Sequence, residues 1–379
     1  MYVIFILVIN TMKVTGIVTE YNPFHYGHQY HIQEARKLTN CDVLIAVMSG
    51  NFVQRGEPAI LDKWQRTKIA LEHGVDLVLE LPFIYCNQSA QQFADGAIHI
   101  LNLAKIDSLV FGSESNNLEE LKEIASMSIN VNNLKEYLSE GHSYPKSLGL
   151  MAGSYPANDI LGIAYLKALQ NYSIQPYSIQ RTNQYHDSKL TEGFASATAI
   201  RHAIQNNQDV SNYTPMQFSS ELHDISDYYP YLRTLLLTMD KDYLKQLFLF
   251  EEGIENHLIK LATQYYDYSS FINHATTRRY TKSRIQRTLI SLLVQLSKEE
   301  KKNLPPLTQF RVLGFNSIGQ NYLKQLRELE VPIATTFGQL PIPYRQLEYK
   351  ATVAYCYPYS SDYQSYLLKR ELEGPVIIK

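Results

Sequence analysis

His25 and His28, with Gly27 between them and Asn22-Pro23-Phe24 ahead, form the segment of this chain best suited to chemistry on a phosphate. A neutral imidazole can donate one hydrogen bond and an imidazolium adds charge; either can steady a phosphoryl oxygen as negative charge builds on it. His31 extends the row at the same spacing, so a three-histidine zinc site is the rival reading, although no nearby cysteine or fourth ligand completes it. The flanking residues show what must hold the pair. Residues 13–19 carry Val14, Ile17 and Val18 in a strand-like run, and residues 28–38 carry Ile32, Ala35 and Leu38 at helical spacing. The histidines therefore fall at a helix N-terminus, where unpaired N–H groups and the positive dipole end favour an anion. Pro23 stiffens the entry, and Gly27 leaves room for a ligand to approach the backbone.

Apolar runs at 14–19, 43–48, 77–81 and 109–111, with helical patterns between the early ones, predict βα units and a parallel sheet. A second helix is expected to open at Asp62, with Gln65 at the capping-box position and Trp64, Lys68 and Leu71 along one side. Residues 20–28, 49–55 and 112–114 all fall at carboxyl ends of strands, where open α/β sheets form their ligand crevice. In Met48-Ser49-Gly50-Asn51-Phe52 the small residues would let backbone N–H groups reach a ligand, and Arg55 would hold a carboxylate or phosphate. A turn with a solvated arginine is the plainer alternative. Ser196, Thr198 and Arg201 fit a hydroxyl-rich helix start with an arginine one turn on, or else an ordinary cap beside a surface arginine.

The bulk properties discriminate less. A chain of 379 residues can bury a large core and has room for about two domains. Its net charge of −2 excludes a surface that attracts nucleic acid everywhere, so an RNA partner would need a local basic patch. Cys41, Cys86 and Cys356 lie far apart without CxxC spacing, which argues against a zinc knuckle or disulfide framework and favours a reducing cytoplasm. Residues 2–9 are continuously apolar but too short to span a bilayer, and no basic region or cleavage site accompanies them. Because Met12-Lys13-Val14 runs directly into the first strand, residues 1–11 are read as an upstream extension, with an extra edge strand as the alternative.

The run Met12-Lys13-Val14-Thr15-Gly16-Ile17-Val18-Thr19-Glu20-Tyr21-Asn22-Pro23-Phe24-His25, together with Met48 to Pro58, Phe111-Gly112-Ser113-Glu114, Asn158 to Leu161 and Ser196 to Arg201, resembles the bacterial tRNA(Met) cytidine acetate ligase family of HIGH-motif nucleotidyltransferases. The likeness is specific to about Arg201 and looser beyond. It implies an enzyme that uses ATP, with Mg²⁺, to activate acetate and acetylate N4 of the wobble cytidine, position 34, of elongator tRNA(Met). It implies His25 and His28 as catalytic residues. It further implies ATP contacts at Val18, Thr19, Glu20, Tyr21, Asn22, Pro23, Phe24, His25, Tyr26, Gly27, His28, Gln29, Tyr30 and His31, and at Gly112, Asn158, Arg181, Ser196, Thr198 and Arg201. Asn158 would open a helix over 158–169, and Arg181 would follow a strand over 177–180. The loop after it, Thr182 to Asp187, is less glycine-rich than the family leads one to expect.

The expected fold class is α/β: a Rossmann-like nucleotidyltransferase domain with a parallel sheet over residues 12–205, and a largely helical C-terminal portion over 206–379. That portion should contain a small α/β element with strand 310–315, helix 320–329 and strand 332–336. Arg278, Arg279, Lys282, Arg284 and Arg287 make a basic run without an acid, leading into a helix whose Ile285, Leu289, Leu292 and Leu296 share one face. With Tyr280 free to stack, this is the expected tRNA-binding segment, against the alternative of a solvated helix face. The resemblance implies elongator tRNA(Met) and acetate as partners; no membrane is expected, and a homodimer is left open. Two further readings are a small-molecule adenylyltransferase, which would have no use for the basic segment, and a non-enzymatic ATP-sensing RNA-binding protein.

Overall fold

The computed structural model describes residues 12–127, 155–181, 195–218 and 221–379. Residues 1–11 and the loop from Thr182 to Asp187 lie outside the described residues. The chain builds strands β1 (Val14–Thr19), β2 (Val43–Ser49), β3 (Phe52–Val53), β4 (Glu57–Pro58), β5 (Leu77–Leu81), β6 (Ser108–Ser113) and β7 (Gln175–Gln180). Helices α1 (Tyr26–Thr39), α2 (Lys63–Glu72), α3 (Phe83–Cys86), α4 (Ala90–Leu103), α5 (Leu118–Ser126), α6 (Ala157–Leu169) and α7 (Ala197–Gln205) alternate with them or follow them. Val43 to Met48 are all buried, the continuous apolar run of a parallel strand covered on both faces.

The main sheet has the order β10 (Val376–Ile377), β8 (Phe310–Phe315), β5, β2, β1, β6 and β7, with β9 (Ile333–Ala334) beside β8. From β1 the chain moves outward to β2 and β5 on one side, then to β6 and β7 on the other, all in parallel. That reversal at β1 opens a crevice beyond its carboxyl end, and the next residues are Glu20 to His28.

Beyond residue 205 come helices α8 (Ile225–Thr238), α9 (Lys241–Gln246), α10 (Ile254–Gln264), α11 (Tyr268–Ala275), α12 (Lys282–Val294) and α13 (Lys298–Lys302). Then follow β8 (Phe310–Phe315), α14 (Ser317–Glu328), β9 (Ile333–Ala334), α15 (Ile342–Cys356), α16 (Ser361–Leu372) and β10 (Val376–Ile377). The small α/β element does not stand apart: β8 pairs antiparallel with β5 and extends the N-terminal sheet. The sheet therefore crosses the boundary expected at residue 205. A buried ionic network secures this junction. Lys63 of α2 and Arg311 of β8 each bond both Glu80 of β5 and Glu371 of α16, at 2.5–3.0 Å. Mutual pairing is what makes burial of four charges tolerable. Among the described residues no helix is long and apolar enough to cross a membrane.

Candidate active site

A cleft of about 280 Å³ opens at the carboxyl ends of β1 and β6. Three helices point their first turns into it: Gly27 and His28 from α1, Ala157 and Asn158 from α6, and Ala197 and Thr198 from α7. Each contributes the positive end of its dipole, so the cleft is prepared for a multiply charged anion. Arg55, Arg181 and Arg201 line it as well.

His25 and His28 stack with ring centroids 3.7 Å apart. The backbone N–H of His25 donates to Nδ1 of His28 at 3.2 Å, which leaves the His28 proton on Nε2. His31 meets the Val110 carbonyl through Nε2 at 3.3 Å. His28 and His31 thus each commit a ring nitrogen to a different backbone partner, while Nδ1 of His25 is buried without one, and among the described residues no group of His, Cys, Asp or Glu side chains gathers as zinc ligands would. Removal from water, reinforced by Arg181 and Arg201, lowers the His25 pKa to about 3. His28 is driven well below the ordinary imidazole range by burial, then by His25 and Arg181. Burial also takes His31 to about 4, against the pull of the Val110 carbonyl. All three are neutral at pH 7, a point the sequence left open.

Gly27 lines the cleft and serves a second purpose besides the one expected: a Cβ there would lie 2.8 Å from Cε1 of His25, so the absent side chain also makes room for that ring. Thr214 Oγ1 donates to the Phe24 carbonyl at 2.6 Å, and the Tyr26 N–H to the Tyr213 carbonyl at 3.1 Å. These bonds brace the loop from a segment that sequence reasoning passed over.

Most residues expected at the nucleotide line the cleft: Val18, Thr19, Glu20, Asn22, His25, Gly27, His28, Tyr30, His31, Gly112, Asn158, Arg181, Ser196, Thr198 and Arg201. Tyr21, Pro23, Phe24, Tyr26 and Gln29 are not among the lining residues. Tyr21 and Phe24 are buried, with their rings 4.9 and 5.7 Å from that of His28, and support it from behind. Ser196 is the cap of α7, accepting the Ala199 N–H at 3.1 Å, and it lines the cleft too. Arg201 donates to the Asn22 carbonyl at 2.6 Å and to Thr198 Oγ1 at 3.4 Å, tying the histidine loop to α7. Asn158 is not a cap; it receives Arg181 on Oδ1 and donates to Glu114 at 2.6 Å.

The stretch 49–52 differs from expectation. Ser49, Asn51 and Phe52 are buried and do not reach the cleft, which is lined instead by Val53, Gln54 and Arg55 of the following hairpin. The residue organising this region is Arg66, fully buried on α2. Its guanidinium donates to the carbonyls of Leu61 at 2.9 Å, Glu20 at 2.6 Å, Ser49 at 3.1 Å and Gly50. It joins the carboxyl ends of β1 and β2. Nothing in the sequence distinguishes it from a solvated helical arginine.

The basic segment is modified by its surroundings. Arg278, Arg279 and Lys282 are exposed, but Arg279 pairs with Glu252 and Arg284 with Glu251, each at 3.4 Å. Tyr280 is not free to stack: it is buried, with its hydroxyl on the Glu252 carbonyl at 3.1 Å. Ile285, Leu289, Leu292 and Leu296 are buried as expected. Arg287, half-buried, donates to the Gln54 carbonyl at 3.4 Å, so the segment adjoins the hairpin at the rim of the cleft. Gly56 permits this contact, since with φ of +77° a Cβ would come within 2.3 Å of the Arg287 nitrogen.

Comparison with known proteins identifies the relatives of this chain. The model of the HIGH nucleotidyl transferase family matches residues 12–370. The tRNA(Met) cytidine acetate ligase of Oceanobacillus iheyensis is 38% identical, covering 97% of this chain and 100% of the relative. The Bacillus subtilis protein of that name is 36% identical over 92% of each chain. The crystal structure of apo Thermotoga maritima TmcAL superposes with a TM-score of 0.88 at 31% identity, covering 97% of this chain and all of that one. The same protein bound to alpha-thio ATP gives 0.83 at 30% identity, with 97% and 99% covered. This chain belongs to the HIGH nucleotidyl transferase family and, within it, to the tRNA(Met) cytidine acetate ligases.

Proposed function

We propose that this protein converts acetate and ATP to acetyl-adenylate and pyrophosphate, then passes the acetyl group to N4 of the wobble cytidine of elongator tRNA(Met), releasing AMP. The observation that carries this reading is the convergence of three helix N-termini and two neutral imidazoles on one cleft. It occurs in a chain that matches enzymes of that name over nearly its full length.

A carboxylate cannot acylate an amine directly, because oxide is a hopeless leaving group. Acetate must first attack the α-phosphorus of ATP, expelling pyrophosphate. No protein nucleophile is needed; the work is alignment of two anions and stabilisation of charge on phosphate oxygens. His28, with its proton on Nε2, and His25 are assigned as neutral hydrogen-bond donors to those oxygens. Arg55, Arg181 and Arg201 supply the charge that the imidazoles do not. Among the described residues no group of three or more His, Cys, Asp or Glu side chains gathers to hold a metal. Mg²⁺ therefore fits as an ion carried on the nucleotide's own phosphates, where it would neutralise their charge. Exposed Arg278, Arg279 and Lys282, with Arg284 and Arg287 leading toward the Gln54 hairpin, are assigned to the tRNA backbone. The reaction is placed in the cytoplasm, where ATP and tRNA are at hand.

Nucleoside mass spectrometry of elongator tRNA(Met) from cells with and without this gene tests the reading. N4-acetylcytidine should vanish with the gene; its persistence at an unchanged level would refute the assignment.

A further inference from the structure

Glu20 has no task in the phosphate chemistry described above. It follows β1 directly and lines the cleft with His25 and Arg55. Its Oε1 accepts the backbone N–H of Gln54 at 2.7 Å, which fixes the carboxylate against the hairpin. Among the described residues nothing donates to Oε2. The backbone is held too, because Arg66 takes the Glu20 carbonyl. Arg55 from the hairpin, Arg66 from α2, Cys86 from α3, Arg201 from α7 and Tyr165 from α6 are the charged or titratable groups facing it. The nearby acid Glu57 interacts with Arg55 and Arg201.

A carboxylate in a triphosphate site works against binding, so its presence there calls for another role. Burial outweighs the Gln54 N–H and the three guanidiniums and raises the pKa of Glu20, which makes it a better proton acceptor than an ordinary glutamate. Activation of acetate has no use for such a group, because acetate is already ionised. Transfer does. The cytidine N4 amine shares its lone pair with the ring, and it must shed a proton as it becomes an amide.

Resting on the ligase reading, we propose that Glu20 is the general base of acetyl transfer. As N4 attacks the acetyl carbonyl carbon, the C–N bond forms and one N4 proton passes to Oε2 of Glu20. The C–O bond to the phosphate then breaks, AMP leaves with that electron pair, and the proton goes on to solvent.

Glu20→Gln keeps an acceptor for the Gln54 N–H and removes the base. In single turnovers with ATP, acetate and tRNA, pyrophosphate release reports activation, and acetylcytidine formation reports transfer. Transfer should fall about 100-fold or more, and by much more than pyrophosphate release. The rise of the parent's transfer rate with pH should flatten in Glu20→Gln but survive, at reduced rate, in Glu20→Asp. Transfer by Glu20→Gln at the parent's rate would overturn the proposal and give the proton to the phosphate of the leaving AMP. Equal loss of both steps in Glu20→Gln would overturn it too, making Glu20 part of the ATP site. If the parent itself neither releases pyrophosphate with acetate nor acetylates tRNA, the ligase reading fails, and the base assignment with it.

Discussion

In the proposed mechanism His25 and His28 serve as neutral donors because the loop that carries them lowers their pKa values by burial. The pair would contribute two directed N–H groups without repelling Arg181 and Arg201, which a pair of imidazolium ions would do. Removing one preorganised donor to developing phosphate charge typically costs two to three orders of magnitude in rate. His25→Ala and His28→Ala should each slow acetate-dependent pyrophosphate release by about 100-fold; normal release by both variants would remove the histidines from the mechanism. Burial also has a signature in stability. In the unfolded chain an imidazole titrates near 6.5, whereas His25 and His31 in the fold wait until about 3 and 4. Below about pH 6.5 the unfolded state binds more protons than the folded one. Stability is therefore fully present above that pH and is lost progressively as pH falls toward the folded values. Melting temperatures between pH 7.5 and 4.5 should show this decline, and His25→Gln should make it shallower; parallel curves for parent and variant would contradict the assigned protonation.

At the scale of elements, the site is an arrangement of strand ends and helix starts, and Arg66 holds the two central strand ends together. Arg66→Met would leave the carbonyls of Glu20, Ser49 and Gly50 without that donor, each costing about 1–3 kcal/mol. Urea unfolding should show a loss on the order of 3 kcal/mol or more; an unchanged midpoint would mean that water or repacking replaces the guanidinium. Arg66 also marks where sequence reading stops. The histidine loop was legible because its strand, proline, glycine and helix are contiguous, and each reports on its neighbours. The partners of Arg66 lie up to 46 residues away, and no local pattern announces them. Ser49-Gly50-Asn51 misled for the same reason: small residues near a strand end fit a ligand loop and a buried brace equally well, and only Arg66 and Thr352 decide between them.

For the whole molecule, the two halves of the chain share one sheet. The strand character of residues 310–315 was readable, but its pairing with β5, antiparallel to an otherwise parallel neighbourhood, depends on contacts across more than 200 residues, including Arg311 with Glu80. The basic segment gives the converse lesson. It reads as free of acids in sequence, yet folding brings Glu251 and Glu252 against it. Neutralising Arg278, Arg279 and Arg284 together should still weaken tRNA binding and reduce its salt slope by up to about 3. Acetyl-adenylate formation without tRNA should persist, because those three side chains do not line the cleft. An unaltered salt slope would identify the segment as a solvated face.

Acetate-dependent acetylation is decided by purified protein with ATP, isotopically labelled acetate and elongator tRNA(Met), with no acetyl-CoA present. Label should enter tRNA as N4-acetylcytidine, with one AMP and one pyrophosphate released for each acetyl group transferred. Label that enters only when acetyl-CoA is supplied, or AMP that ends up joined to a small molecule as a dinucleotide, would contradict it.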